Sequence, residues 1–372
     1  MRSNPRMHTA SPPYNHPAGH YALHPGQHPP LRGGRPVLDP GRLQALLRGQ
    51  QLDTLLNTVG SLFTLCAHAH RDCARRAFAA AQGTIADDPE GDIWLQWETA
   101  RDHMRCMALE WPQRLQLEAQ LPWWRACPLS WTSRRTIQTA TQAQAELHAL
   151  GRWLEQQVMH QPLAVWRAHT ASAFTLADWC RAQADTVAPA QALATVWPRL
   201  QAPRLPLHAL PLGDLASTAR ALAESTWTDA SFCAHPQWQG ACAENGPWLR
   251  LPAPQNAEVS PWWRLAARWV EWVALAGHAL EPAPGAPPLR RGALTLAPGC
   301  GVAWCEMARG LLLHSVQLDA QGRVQDYRVL APTEWNFHPE GSLGQAVASL
   351  APDDRDSARL LAAAFDPCVA CL

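Results

Sequence analysis

The composition of this 372-residue chain excludes several broad classes of protein. Its formal net charge is zero, and charged residues make up 17% of the chain, fewer than the roughly 25% of typical soluble proteins. Neither nucleic acid nor an anionic membrane surface is therefore an expected partner. No apolar run approaches the ~18 residues of a membrane span, and the N-terminus lacks the apolar stretch of a secretion signal. We therefore expect a cytoplasmic protein.

Residues 1–38 are rich in proline, glycine and histidine. This composition predicts a disordered tail, because the prolines forbid the helix on which the regularly spaced histidines would line up. Loose capture of nickel or zinc by these imidazoles is an alternative. We predict that residues 39–372 form a single domain, helical over 39–285, with a β-hairpin and a thiol-bearing segment over 290–372.

The segment 39–285 predicts helices separated by proline-rich loops. Asp39, followed by proline, is typical of a helix start, and Pro112 is expected to stop a later helix. Ser260, again followed by proline, forms an N-cap and first turn. The helix that follows carries an apolar stripe predicted to lie in the core, made of Trp262, Leu265, Trp269 and Trp272. The neighbouring pairs Trp123-Trp124 and Trp262-Trp263 are alternatively partner contacts, although burial is the preferred interpretation.

The pattern changes after the helical part of the chain. Residues 311–330 predict a β-hairpin, because two apolar runs flank a glycine-containing turn. Residues 357–365 predict a helix, which Asp366 and Pro367 should end. Together these features predict an α+β fold that is mainly α-helical.

The eleven cysteines indicate thiolate ligation or simple burial rather than a disulfide framework, given a cytoplasmic location. His338 is interpreted as a loop residue without a ligand role. Five cysteines lack ligand spacing and are interpreted as small buried apolar side chains, namely Cys106, Cys127, Cys180, Cys233 and Cys242.

Two thiol clusters stand at opposite ends of the chain. Cys66, His70 and Cys73 fall on one face of a predicted helix, and Cys368 and Cys371 form a Cys-x-x-Cys pair. Together they offer the four ligands of a tetrahedral zinc site. A redox role for the Cys-x-x-Cys pair is also open, although no βαβ thioredoxin context precedes it.

Several segments resemble the large subunits of nickel–iron hydrogenases. Residues 306–314 (EMARGLLLH), Tyr327, 331–336 (APTEWN) and 365–371 (FDPCVAC) are similar to the C-terminal third of that family in order and spacing. Residues 61–70 (SLFTLCAHAH) are similar to its N-terminal Cys-x-x-Cys-x-x-x-His motif. The resemblance implies a large-subunit-like fold.

The same resemblance assigns roles to the thiols. In the family the first cysteine of each pair is terminal on nickel, and the second bridges nickel and iron. Phe63 stands where the first upstream cysteine belongs, while Cys66 and Cys371 occupy the two bridging positions. Iron carrying cyanide and carbonyl is therefore the implied metal, and nickel is not expected. Cys368 is implied as a third ligand or as a hand-off thiol.

Further positions extend the implied iron site. Arg309 and Thr333 match the residues that hydrogen-bond the two cyanides in the family, and a guanidinium in a dry pocket is a strong donor to such anions. His70 is expected to orient Cys66, or else to pack as a structural imidazole. The family's N-terminal glutamate motif has no counterpart in residues 1–40. The chain stops at Leu372, so neither proteolytic processing nor closure around nickel is expected.

A large-subunit fold with these losses resembles the hydrogenase expression/formation proteins of the HupK (HoxV) type. The resemblance implies a scaffold without hydrogenase turnover, which transiently carries the iron–dicyanide–carbonyl unit. Its implied partners are the maturation complex that builds this unit and the hydrogenase large subunit that receives it. A zinc-stabilised interaction module on the same cysteines is an alternative. An active hydrogenase is a further alternative, which Phe63 disfavours.

Overall fold

The computed structural model describes residues 19–86, 88–129, 137–202, 205–229, 231–251, 258–282 and 288–371, and helices dominate them. Two helices continue into π-helical turns, at Cys106–Glu110 and Leu154–Met159. The α-helices are α1 (Pro40–Leu47), α2 (Leu52–Leu62), α3 (Ala67–Gln82), α4 (Pro89–Arg105), α5 (Trp111–Arg114), α6 (Leu121–Arg125), α7 (Ala140–Trp153), α8 (Leu163–Trp166), α9 (Ala173–Ala182), α10 (Ala188–Leu200), α11 (Leu215–Thr228), α12 (Pro261–Leu280), α13 (Pro332–Asn336), α14 (Ser342–Ala348) and α15 (Arg355–Phe365).

The strands of the described residues form three sheets. The largest is antiparallel with the order β5-β6-β7-β8, so the predicted hairpin is confirmed as β7 and β8 of a four-stranded sheet. A second sheet has the order β2-β1-β9, and β3 pairs with β4. The strands are β1 (His20–Leu23), β2 (Leu31–Gly34), β3 (Leu205–Pro206), β4 (Glu258–Val259), β5 (Arg291–Ala297), β6 (Cys300–Met307), β7 (Gly310–Leu318), β8 (Val324–Leu330) and β9 (Ala370–Cys371). The predicted α+β, mainly helical class is confirmed.

The four-stranded sheet is covered by α3 on one face and by α11 on the other. Successive side chains of β6 alternate between the two faces, with Trp304 in the cluster on the α11 side and Cys305 in the main core with α3. A Cβ on Gly301 would lie 2.2 Å from the carbonyl oxygen of Ala77 in α3. Glycine therefore permits the close approach that brings α3 onto the sheet.

Helix α12 crosses the centre of the helical part of the molecule. Ser260 caps it as predicted, because its hydroxyl accepts the N–H of Trp263 at 3.2 Å. Its predicted apolar stripe is wholly buried, which confirms the assignment of these residues to the core. Trp124, Trp262 and Trp263 are also buried, so the alternative that these pairs are exposed partner contacts is wrong for all three side chains.

The N-terminal prediction needs correction. Residues 1–18 lie outside the described residues, but the disorder predicted for the rest of the 1–38 tail is wrong. Strand β1 pairs antiparallel with β2 and parallel with β9 near the other end of the chain. Proline forbids a helix here, but Pro25, Pro29 and Pro30 lie in the loop between β1 and β2 and leave the hydrogen bonds of both strands intact. A proline-rich composition therefore does not exclude order when a distant strand supplies further pairing.

Pro112 also behaves differently from expectation. The helical path continues from α4 through the π-turn Cys106–Glu110 into α5, so the predicted stop at Pro112 is wrong. Pro112 lies in the first turn of α5, where its missing N–H is tolerated. Within the described part of the chain, none of the helices has the length and apolarity of a transmembrane span.

Candidate metal centre

Cys66 lies at the junction between α2 and α3, in the short 3₁₀ turn Thr64–Cys66. Its side chain is buried. The carboxylate of Glu98, from α4, accepts the backbone N–H groups of His68 and Ala69 at 2.8 Å each and so holds the first turn of α3 in place. Burial raises the pKa of Glu98 to about 7, although these two N–H donors act in the opposite direction. Burial, reinforced by Glu98, raises the pKa of the Cys66 thiol, so without a metal it is protonated at neutral pH.

Phe63 fills the space next to this turn. Its ring is stacked on the imidazole of His70, with 3.8 Å between ring centroids and an interplanar angle of 8°. His70 Nδ1 lies 2.9 Å from His314 Nε2, and His314 Nδ1 lies 2.6 Å from the Tyr327 hydroxyl. Burial lowers the pKa of His70, and it lowers that of His314 to about 3, so both rings are neutral. His70 therefore hydrogen-bonds across to the sheet, in keeping with the structural alternative for this residue.

The second thiol segment begins where α15 ends. Asp366 takes a left-handed conformation, with φ of 47°, and its buried carboxylate meets Arg114 at 2.8 Å, Arg268 at 2.9 Å and Arg309 at 3.3 Å. Burial would raise the pKa of Asp366, but the three guanidiniums outweigh it and hold the pKa well below the usual range. Arg114 also donates to the carbonyl of Pro367 at 3.0 Å. This ion-pair network therefore sets the direction in which the chain leaves α15 toward both cysteines.

Cys368 is held by two residues that are distant in sequence. The Thr333 hydroxyl lies 3.1 Å from its sulfur, and Arg35 Nη1 donates to the same sulfur at 2.9 Å. Arg35 also binds the buried carboxylate of Glu334 through Nε at 2.6 Å and through Nη2. Sequence reasoning missed both Arg35 and Glu334. Glu334 lies inside the APTEWN segment next to Thr333, and an acidic side chain at that position is the sequence feature that could have pointed to it.

Cys371 lies on β9, where Cys371 is the register partner of Tyr21 on β1. Burial raises the pKa of its thiol to about 12, while Arg114 acts in the opposite direction. A cleft of about 520 Å³ runs along this segment, lined by Pro367, Cys368, Val369, Ala370 and Cys371 and by side chains that include Arg114 and Arg359. The thiol pair thus has an open approach, whereas the side chain of Cys66 is buried.

Arg309 is buried beside two carboxylates. Its Nη1 donates to Asp102 at 2.6 Å, and its Nε faces Asp366. Burial would lower the pKa of Arg309, but the charges of Asp102, Asp366 and Cys368 outweigh it and raise the pKa well above normal. Arg309 is thus a permanent cation at the thiol site.

The predicted thiols share one neighbourhood. The charge of Cys368 contributes to the raised pKa of both Cys66 and Cys371, and Arg309 opposes that rise at Cys66. Within the described ranges, these three sulfurs do not form a set whose atoms all lie within 4.8 Å of one another. Such sets are instead formed by Cys106, Glu110 and Asp366, and by Cys242, His338 and Glu340. Arginines surround the first of them, which makes it an ion-pair network.

The four-ligand zinc arrangement is not assembled. The sulfur of Cys73 lies 3.4 Å from that of Cys305 on β6, on the buried face of α3. His70 is engaged with His314. Two of the proposed ligands therefore face the sheet instead of Cys368 and Cys371, which disfavours a zinc site built on these five residues.

The fold of the chain is that of the nickel–iron hydrogenase large-subunit class. A NiFeSe hydrogenase variant from Desulfovibrio vulgaris Hildenborough has the same fold, with a TM-score of 0.54 and 15% identity, covering 91% of this chain and 92% of that chain. The as-isolated oxidised NiFeSe hydrogenase of the same organism gives a TM-score of 0.52 at 16% identity, with the same coverage. The nickel-dependent hydrogenase family matches residues 293–372.

Within this class, full-length relatives identify the family. The hydrogenase expression/formation protein HoxV of Cupriavidus necator is 38% identical, with 94% of each chain covered. The hydrogenase expression/formation protein HupK of Bradyrhizobium diazoefficiens is 30% identical, with 88% of each chain covered. The chain belongs to the HoxV/HupK family of hydrogenase expression/formation proteins. It is an accessory protein of hydrogenase formation rather than a hydrogenase.

Proposed function

We propose that this protein carries the iron–dicyanide–carbonyl unit on the thiolates of Cys66 and Cys371 and delivers it to a hydrogenase large subunit. The observation that carries the proposal is the position of Phe63. Its ring is stacked on His70 where the large-subunit pattern has a nickel-terminal cysteine, while the two thiols in the bridging positions remain. A nickel site lacks one of its ligands, whereas iron with three diatomic ligands needs few from the protein.

The electrostatics suit an anionic cargo that is held reversibly. Both thiols are protonated in the metal-free protein because burial raises their pKa, so binding iron releases protons. Arg309 acts on Cys66, and Arg114 on Cys371, as a nearby positive charge that favours the thiolate form. A guanidinium is a strong donor to anionic ligands, which supports Arg309, together with Thr333, as the cyanide-binding pair.

Cys368 is suited to hand-off. Arg35 and Thr333 hold its sulfur at the edge of the open cleft, where an incoming group has access. A thiol next to the iron anchors offers a competing ligand, which lowers the barrier for the cargo to leave. The implied partners are the maturation complex that loads the iron unit and the large subunit that accepts it.

Infrared spectroscopy tests this function. Protein coexpressed with the hydrogenase assembly machinery and purified anaerobically should show cyanide and carbonyl stretching bands. These bands should vanish in Cys66→Ala and in Cys371→Ala and persist in Cys180→Ala, a matched control whose thiol is buried in α9. Bands absent from the wild type, or unchanged in both site variants, would overturn the proposal. Zinc that is lost only with Cys66 or Cys371 would instead support the zinc module.

A further inference from the structure

A second cluster of metal-ligating side chains lies outside the thiol site. It joins the loop that contains Cys242 to the turn that follows α13. The Cys242 sulfur lies 3.1 Å from His338 Nδ1, and one ligand atom each from Cys242, His338 and Glu340 all lie within 4.8 Å of one another. Because 96 residues separate Cys242 from His338 in sequence, only the fold brings these donors together.

The turn is already shaped to offer His338 Nδ1. The backbone N–H of Glu340 donates to this atom at 3.2 Å, so Nδ1 carries the lone pair and the proton is on Nε2. The N–H of Gly341 donates to the carbonyl of His338 at 2.9 Å and closes the turn. Pro339 stands between the two donors and restricts the backbone that connects them. The imidazole is therefore pre-oriented toward Cys242.

The burial of these three side chains and the chemistry of their ligand atoms both indicate a metal site. His338 is buried, Cys242 is half-buried and Glu340 is exposed, so the cluster opens toward solvent along one side. The exposed His235 lies at this opening, with its ring centroid 5.6 Å from that of His338. One sulfur, one or two imidazole nitrogens and a carboxylate oxygen match the preference of zinc for mixed tetrahedral ligands.

We propose that Cys242, His338 and Glu340 bind a zinc ion, and that the exposed His235 turns in to complete the site. The zinc would take the Nδ1 lone pair in place of the Glu340 N–H and the Cys242 S–H, and the thiol proton would leave to solvent. Typical zinc–sulfur and zinc–nitrogen bonds place the two ligand atoms about 3.6 Å apart in a tetrahedral site, so Cys242 and His338 need to separate by only about half an ångström. A zinc ion here would give His338 a ligand role, contrary to the expectation from sequence. The structure also corrects the assignment of Cys242 to the buried apolar thiols, because this side chain is only half-buried.

The zinc would fasten a junction that already holds α13 in place. Asn245 N–H donates to Asn336 Oδ1 at 2.9 Å, and Leu311 N–H on β7 donates to Asn245 Oδ1 at 2.7 Å. Helix α13 also carries Thr333, which contacts Cys368. Zinc at one end of α13 therefore steadies the element that presents Thr333 to the thiol site. The zinc site itself does not depend on the iron-carrying role.

Metal analysis of the full-length protein tests the inference. Apo protein titrated with zinc against a chromogenic competitor should bind one equivalent tightly. The affinity should fall at least tenfold in His338→Ala and in Cys242→Ala, and less in Glu340→Gln, whose exposed carboxamide perturbs folding least. Cys233→Ala is the matched control, a buried thiol in the same loop region that lies outside the cluster, and should bind as the wild type does.

Cobalt provides a second readout that does not depend on affinity. Cobalt-substituted wild type should show tetrahedral absorption with a thiolate-to-cobalt charge-transfer band, and Cys242→Ala should lose that band while Cys66→Ala keeps it. Equal zinc affinity in wild type, His338→Ala and Cys242→Ala would overturn the inference, as would a band that depends on Cys66. Iron infrared bands should persist in Cys242→Ala, so failure of either proposal is visible separately.

Discussion

At the scale of single residues, Phe63 stands where the resemblance to the large subunits places a cysteine that is terminal on nickel. Its backbone carbonyl accepts the N–H of Cys66 at 3.2 Å, and the turn between them is 3₁₀. Side chains three residues apart eclipse one another in this geometry, so position 63 and Cys66 lie on the same side of the turn. In the proposed iron site, this aromatic ring would stand where a further thiol would reach the metal.

Restoring a cysteine should therefore restore nickel affinity. We expect Phe63→Cys to bind nickel at least tenfold more tightly than the wild type, because it supplies the missing ligand beside Cys66. Competition with a nickel indicator under anaerobic conditions measures the effect. Phe63→Ser, which opens a similar space without a thiol, is the matched control. The assignment of position 63 fails if the cysteine and serine variants bind nickel equally.

At the scale of elements, a buried charge cluster joins α4, α12 and Arg250, the residue that follows the 3₁₀ turn Pro247–Leu249. Glu271 of α12 accepts from Arg250 Nε at 2.7 Å and lies 2.7 Å from His103 Nε2 of α4. Burial would raise the pKa of Glu271, but Arg250 and His103 outweigh it and lower the pKa to about 2. This carboxylate is therefore charged and paired wherever the protein is folded at neutral pH.

Because folding lowers the pKa of Glu271, the free energy of unfolding depends on pH. Glu271 contributes stability above its unfolded-state pKa near 4.5, and this contribution is lost as the pH falls toward 2. The loss amounts to about 3 kcal/mol of unfolding free energy over the whole range. Urea unfolding between about pH 5 and pH 3 should show a shallower decline in Glu271→Gln, which is less stable at neutral pH because Arg250 stays buried without its partner.

The exposed Glu224→Gln variant is the control for this experiment and should keep the wild-type pH dependence. Identical slopes in Glu271→Gln and wild type would show that the cluster does not control acid stability. An unchanged stability of Glu271→Gln at pH 7 would contradict the pairing of Arg250 with this carboxylate.

At the scale of the whole molecule, the proposed iron unit would link two segments that are far apart in sequence. Cys66 and Cys371 lie 305 residues apart in sequence, and β9 already pairs with β1 near the N-terminus. A ligand that binds only the folded state stabilises it by about 2.7 kcal/mol at a hundredfold excess over its Kd. Iron loading should thus act on global stability as well as on the local site.

We expect iron-loaded wild-type protein to unfold a few degrees above the same protein after removal of the iron unit, as measured by calorimetry under anaerobic conditions. Cys66→Ala taken through the same preparation should show no increment. Cys180→Ala should show the full increment, because its thiol is in α9. A wild-type melting temperature that does not respond to loading would argue against ligation by two distant thiols.

Local sequence signals determined much of this protein. The Asp39 and Ser260 caps, the tryptophan stripe of α12, the β7–β8 hairpin and the end of α15 at Asp366 all depend on residues within a few positions of one another. The two thiol segments and Phe63 were likewise recognisable from short stretches, through their resemblance to hydrogenase large subunits. Short-range periodicity, capping and spacing carry this information, so the sequence alone sufficed for it.

Only the tertiary structure decided which distant groups meet. Three features join segments that are hundreds of residues apart in sequence. They are the pairing of β1 with β9, the contact of Arg35 with Glu334 and Cys368, and the contact of Cys73 with Cys305. The approach of Cys242 to His338 belongs to the same class. Strand pairing, buried ion pairs and sulfur contacts between distant segments leave no periodic trace in the sequence, because their partners are set by how α3, α13 and the sheets pack. The sequence alone therefore identifies the candidate thiols, whereas only the tertiary structure determines which residues contact them.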